Sequence, residues 1–156
     1  MRQEDIGQNL AKIAFDFFYW FSRFEFALKE NRYLKNAAIG VKAEPGWDKF
    51  INEWSDQYSA SDEAKALIAA SPRRQVVAAS GELEWKNVKS NECRNELAKV
   101  IILLKTVRNN LFHGGKHGAD GWDDPARTEK LLKLGMAVLE QLATLAAIEA
   151  DYKRYY

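Results

Sequence analysis

Apolar residues recur every three or four positions between residues 6 and 28. The positions on this stripe are Ile6, Leu10, Ile13, Phe17, Trp20, Phe24 and Leu28. This spacing is the period of an α-helix with one buried face, whereas a strand alternates every second residue. Five further aromatic residues lie off the stripe, namely Phe15, Phe18, Tyr19, Phe21 and Phe26. We therefore expect a helix with one apolar face on its own core and another against a second subunit.

The next segments predict two shorter helices and a connection. Pro45 and Gly46 indicate a turn, and the helix after it carries an apolar side. That side consists of Trp47, Phe50, Ile51, Trp54 and Tyr58. Ser61 is a typical residue to cap the next helix, which Pro72 ends. Residues 72–90 show no clear period, so we expect an irregular connection with one short helix and no strand.

A long helix is predicted from Ser90 or Asn91 to Phe112. Its apolar stripe is formed by Leu97, Ile101, Leu104, Arg108 and Leu111. The stripe thus contains a guanidinium group, and an unpaired buried charge costs several kcal/mol, roughly the desolvation penalty of one ion. Arg108 must therefore extend to water, form an ion pair or serve a function.

The last predicted helix begins after Asp123 or Asp124, either of which can cap it, with Pro125 in its first turn. Its core stripe consists of Leu131, Leu134, Val138, Leu142, Leu145 and Tyr152. The order of elements predicts an all-α fold, a four-helix up-and-down bundle with an extra short helix or irregular connection.

Length and composition support one globular domain over residues 1–156. Of the 156 residues, 47% are hydrophobic and 12% aromatic, which is enough for a core without disulfides or metals. The start, MRQEDIGQNLAK, lacks the apolar run of a signal peptide, and no stretch approaches the roughly 18 apolar residues of a membrane span. We therefore expect a cytoplasmic protein that does not bind membranes.

The formal net charge of +1 hides an uneven distribution. Residues 73–117 contain nine basic and four acidic residues and carry a net charge of +5, while the segments on either side are near −2. A basic segment of this kind predicts an anionic partner, although basic residues on helix surfaces are commonly just solvated.

The stretch RNNLFHGG, at the end of the long predicted helix, carries the candidate chemistry. Asn109 and His113 are four residues apart and share a helix face, so the amide can orient the imidazole, whereas Arg108 lies about 140° from His113. Histidine moves protons near neutral pH, and arginine holds phosphoryl oxygens. RNA supplies its own nucleophile, the 2′-hydroxyl, so these two residues suit RNA cleavage. The alternative is a helix with a cationic end, capped by Gly114.

Other residues near this stretch are weaker candidates. Lys116 and His117 are possible phosphate contacts or parts of a solvated loop, and Arg23 and Glu25 either reach the same cleft or form an ordinary ion pair. A metal site would use His113, His117, Asp120 and Asp123. Because the glycines after His113 disfavour a helical histidine pair, we predict neither a metal nor a cofactor.

The stretch VRNNLFHGG resembles the signature of the HEPN superfamily, an arginine followed by a polar residue and then a histidine after four to six positions. The long helix before it and FSRFEFALK in the first helix are similar to small stand-alone prokaryotic HEPN proteins. The resemblance implies that Arg108 stabilises phosphate charge, that Asn109 is the polar residue after it, with Asn110 also supporting, and that His113 is the general acid or base.

The resemblance also implies a dimer whose motifs face each other and a metal-independent endoribonuclease that leaves 2′,3′-cyclic phosphate and 5′-hydroxyl ends. Such proteins often act as toxins or in phage defence, and an antitoxin or nucleotidyltransferase partner is then expected. Other HEPN proteins bind RNA, nucleotides or partner proteins without cleavage. A non-catalytic binding module is therefore the alternative function.

Overall fold

The computed structural model describes residues 7–113 and 124–154, which form a mostly helical fold with a small two-stranded sheet. The elements, in chain order, are α1 (Gln8–Glu30), α2 (Trp47–Trp54), α3 (Asp62–Ala70), β1 (Arg73–Val77), β2 (Leu83–Asn87), a 3₁₀ turn (Ser90–Glu92), α4 (Glu96–His113), α5 (Pro125–Leu145) and α6 (Glu149–Lys153). The predicted all-α class is confirmed only in that this part of the chain is mostly helical, because it also contains two strands.

The core forms where the long helices α1, α4 and α5 meet, with α3 packed against α4 and α5. The α1 stripe is buried at Leu10, Ile13, Phe17, Phe24 and Leu28, while Ile6 lies outside the described residues. Phe21 was placed off this stripe, but it is only 2% exposed, whereas Trp20 is half-buried. The reason is α2, whose Trp47 ring lies 5.8 Å from the Phe21 ring and covers that side of α1.

The predicted helix starts at Ser61 and Asp124 are confirmed. The Ser61 hydroxyl accepts a hydrogen bond from the Ala64 backbone N–H at 3.2 Å. Asp124 Oδ1 accepts from the N–H groups of Ala126 and Arg127, and Pro125 follows the cap. Both side chains satisfy N–H groups that the first helical turn leaves without partners.

The last helix is shorter than predicted. α5 ends at Leu145, and Tyr152 belongs to the separate helix α6. Ala147 adopts a left-handed conformation with φ 52°, and the Ile148 N–H turns back to the Ala143 carbonyl at 3.0 Å. The turn places α6 against α1, and Ile148 and Tyr152 are each 3% exposed.

The prediction of no strand and an irregular connection over residues 72–90 is wrong. β1 and β2 pair antiparallel, with Gln75 opposite Trp85 and Val77 opposite Leu83. Valines and tryptophan favour strands, but Val77 is 70% and Leu83 64% exposed, so no clean alternation of buried and exposed positions marks this hairpin.

Candidate active site at the end of helix α4

Helix α4 carries both predicted catalytic residues within its last two turns. Asn95 caps the start of the helix, where its Oδ1 accepts a hydrogen bond from the Ala98 N–H at 2.8 Å. Arg108 is half-buried in the helix, and His113 is the last helical residue. The His113 side chain is outside the described part of the structure, as are Lys116, His117, Asp120 and Asp123.

Arg108 is held on two sides by its surroundings. Its Nη2 lies 3.3 Å from Glu25 Oε1 on α1, and its guanidinium carbon lies 5.0 Å from the centre of the Phe21 ring. Its Nε is buried and has no hydrogen-bond partner among the described residues. The side chains of Arg108 and Glu25 are 28% and 25% exposed. The sequence left open whether Arg108 pairs or reaches water, and the structure shows that it does both.

Glu25 is therefore a neighbour of Arg108, as the sequence allowed. The same Oε1 atom also accepts a hydrogen bond from the Trp47 indole N–H at 3.1 Å. Trp47 is the first residue of α2 and is 6% exposed. Residues from α1, α2 and α4 thus meet at one carboxylate oxygen.

A cavity of about 440 Å³ opens beside this ion pair, between α4 and the start of α2. Its charged lining consists of Lys35, Lys49, Lys105 and Arg108 together with Glu25, Glu44 and Asp48. Lys35 lies 3.6 Å from Glu44, whereas Lys49 and Lys105 form no ion pair among the described residues. The two lysines are available to an anion that also contacts Arg108.

The three lysines of this cavity, Lys35, Lys49 and Lys105, are not among the predicted site residues. Lys105 precedes Arg108 by three positions on the same helix, so helical spacing alone places it next to Arg108. Lys35 and Lys49 come from the chain before and within α2, and no sequence spacing indicates their position. The backbone N–H of Gly46 donates to the Tyr33 carbonyl at 2.7 Å, and this bond holds the segment before α2 in place.

The two asparagines after Arg108 differ in environment. Asn109 is exposed to solvent near the C-terminal end of α4. Asn110 is 9% exposed, and its amide donates a hydrogen bond of 2.7 Å to the Arg73 carbonyl of β1. Asn110 therefore attaches the hairpin to α4.

Arg23 is not brought to Arg108. Its guanidinium donates to the carbonyls of Asp151 and Tyr152 in α6, and it lies 4.7 Å from the centre of the Phe26 ring. Positive charge at the end of a helix interacts favourably with its carbonyl groups. These contacts attach α6 to α1, so Arg23 has a structural role.

An exposed aromatic patch borders the helix end. It consists of Phe15, Phe18 and Tyr19 on α1 and Phe112 on α4, which are 65%, 43%, 37% and 51% exposed. The Phe18 and Phe112 rings meet edge to face with 5.2 Å between centres. Phe112 immediately precedes His113 in the sequence.

Neither a metal centre nor a membrane segment is found in the part of the chain that the structure describes. Residues 7–113 and 124–154 contain no cluster of three or more histidine, cysteine or carboxylate side chains that could hold a metal ion. Within the same residues, no helix combines the length and the apolar character that crossing a bilayer requires.

Comparison with known proteins gives no match to this chain. No family model, no curated protein and no solved structure matches it. The resemblance of residues 107–115 to the HEPN signature therefore stays a prediction from the sequence.

Proposed function

We propose that this chain is a metal-independent endoribonuclease of the HEPN type that acts as a toxin or in phage defence. The observation that carries the proposal is the state of Arg108. Its side chain pairs with Glu25, is still 28% exposed and borders a cavity lined by Lys49 and Lys105, five residues before His113. This is the placement that an arginine needs to bind a phosphate group from solvent.

The reaction needs little from the protein. The 2′-oxygen of the RNA attacks the adjacent phosphorus and gives up its proton, while the bond to the 5′-oxygen breaks and that oxygen gains a proton. His113 serves as the base or the acid for one of these transfers. Arg108 stabilises the charge that develops on the phosphoryl oxygens.

The cavity supports an extended polyanion as substrate. Lys49 and Lys105 line it beside Arg108, and consecutive RNA phosphates can contact several cations at once. Such contacts release counterions, so substrate binding should weaken as the salt concentration rises.

A homodimer belongs to the same proposal. The patch of Phe15, Phe18, Tyr19 and Phe112 is apolar surface that a second copy of the chain would cover. A two-fold axis through the patch would bring the two α4 ends together and complete one cleft from both copies. An antitoxin or nucleotidyltransferase would then control the dimer.

We also propose that the helices follow the four-helix arrangement expected of HEPN proteins. Helix α1 contacts α5, α5 contacts α3, α3 contacts α4, and α4 contacts α1. This closed cycle of neighbours supports a bundle made of α1, α3, α4 and α5.

The test incubates the purified chain with mixed cellular RNA in EDTA and identifies the ends of the fragments. We expect cyclic phosphate ends from the wild type, a loss of about 10²–10³-fold in rate for Arg108→Ala and a loss of about 10²–10⁴-fold for His113→Ala. Arg94→Ala removes an exposed arginine just before α4 and is the matched control, which should keep wild-type activity. Intact RNA with the wild type would refute the ribonuclease proposal.

The second candidate is a binding module for RNA, a nucleotide or a partner protein. The Glu25 carboxylate favours it, because it already neutralises part of the Arg108 charge. A module of this kind would bind an RNA oligonucleotide with strong salt dependence and release it intact.

A further inference from the structure

We propose that Trp47 and Glu25 are positioning residues that orient Arg108 for the reaction. The inference rests on the proposed ribonuclease function and assigns roles to two residues that the reaction itself does not use. The indole N–H of Trp47 and the Nη2 of Arg108 both donate to Glu25 Oε1, at 3.1 and 3.3 Å. One carboxylate oxygen thus connects a buried indole to a partly exposed arginine side chain.

Trp47 is the fixed end of this chain of contacts. It is 6% exposed, its ring stacks on Phe24 with 5.2 Å between centres and 23° between planes, and it also packs on Phe21. The indole nitrogen therefore has little freedom, and a carboxylate that accepts its hydrogen bond is held in place.

Glu25, held by Trp47, in turn restricts the position of Arg108. A glutamate side chain has three rotatable bonds and, at 25% exposure, has access to solvent. The Trp47 hydrogen bond selects the arrangement in which Oε1 faces Nη2. The Phe21 ring, 5.0 Å from the guanidinium carbon, restricts Arg108 from a second side.

Orientation of the guanidinium affects the chemical step more than binding. A cation that binds phosphate loosely still contributes to affinity, but stabilising the transition state requires its N–H groups at defined positions. A displacement of about 1 Å in a catalytic group can cost about 10²-fold in rate. Loss of the Trp47 N–H should therefore lower kcat and leave KM nearly unchanged.

The kinetic test compares Trp47→Phe with Trp54→Phe. Trp47→Phe keeps an aromatic ring and removes the N–H. Trp54 is on the same helix, and its indole N–H donates to the Tyr33 hydroxyl at 2.9 Å, so the control also loses an indole hydrogen bond. We expect kcat to fall about tenfold to hundredfold for Trp47→Phe and Glu25→Gln, with little change in KM for Trp47→Phe and wild-type kcat for Trp54→Phe. An equal loss of kcat in both tryptophan variants would overturn the proposal.

A second measurement decides the inference without any ribonuclease activity. In NMR spectra of chain labelled with ¹⁵N-arginine, the Arg108 resonance is assigned from its absence in Arg108→Lys. We expect separate Nη–H resonances in the wild type and in Trp54→Phe, and averaged ones in Trp47→Phe and Glu25→Gln. Intact RNA with the wild type would refute the ribonuclease alone, whereas separate Arg108 resonances in Trp47→Phe and Glu25→Gln would refute the positioning role.

Discussion

Gly135 lies on the buried side of α5, where this helix packs against α1 and α4. A Cβ atom at this position would lie 2.5 Å from Cε2 of Phe17 and 3.3 Å from Cδ1 of Leu104. Both neighbours are fully buried, at 0% exposure, so neither side chain can turn into solvent to make room. We therefore predict that Gly135→Ala destabilises the fold, although alanine is the better helix former.

Two opposing effects set the magnitude. Replacing glycine by alanine inside a helix stabilises it by about 1 kcal/mol. Forcing an extra methyl group into a packed core costs about 1–3 kcal/mol, and the upper end applies because the 2.5 Å contact is far shorter than van der Waals distance. The expected net loss is about 2 kcal/mol, which lowers the Tm by about 4–8 °C in a chain of this size.

Urea unfolding followed by circular dichroism measures this loss, and Phe17→Leu tests its cause. The smaller side chain removes the atom that the new methyl group meets. The double variant Gly135→Ala/Phe17→Leu should therefore be more stable than the sum of the two single losses predicts. A Gly135→Ala variant at least as stable as the wild type would refute the packing argument.

Three further predictions concern single positions. Asn110→Ala leaves the Arg73 carbonyl without its hydrogen bond and should lower the free energy of unfolding by about 1–3 kcal/mol in urea titrations; an unchanged midpoint would contradict this. Gly46→Ala places a Cβ 2.6 Å from the Leu34 carbonyl carbon and should cost about 1–3 kcal/mol, measured in the same way, and full stability would show that the backbone can yield. Burial raises the pKa of Tyr58 from 10.0 to about 12, so its contribution to stability is complete below pH 10 and is lost as the pH rises through 12. Urea titrations between pH 8 and 12 should therefore show a smaller alkaline loss for Tyr58→Phe, and equal losses would argue against this role of Tyr58.

The helices could be predicted because the sequence features that specify them lie within a few residues of one another. Apolar spacing marked the buried face of α1, and Ser61 and Asp124 marked helix starts, since a capping side chain acts within three residues of itself. The helical period does not predict the burial of Phe21, because α2 covers a second side of α1. The sequence does not predict the hairpin, because its valines and leucine do not alternate between a buried and an exposed face.

The candidate site could be predicted only in part. The position of Arg108 within an apolar stripe indicated that it needs a partner, and Glu25 was among the candidates, although 83 positions separate the two residues. The contribution of Trp47 depends on where α2 packs. No periodicity in the sequence encodes that long-range contact, and the same holds for Lys35 and Lys49.

The turn of the β1–β2 hairpin offers a site for inserting a peptide. This turn is exposed, and the Ala78 N–H bonds the Glu82 carbonyl at 2.7 Å, so the two ends of the turn are already close together. Inserting a peptide between Ala79 and Ser80 adds mainly loop-closure entropy, which grows by only about 0.6 kcal/mol for each doubling of loop length. An affinity tag or a fluorescent domain placed there would interrupt neither strand.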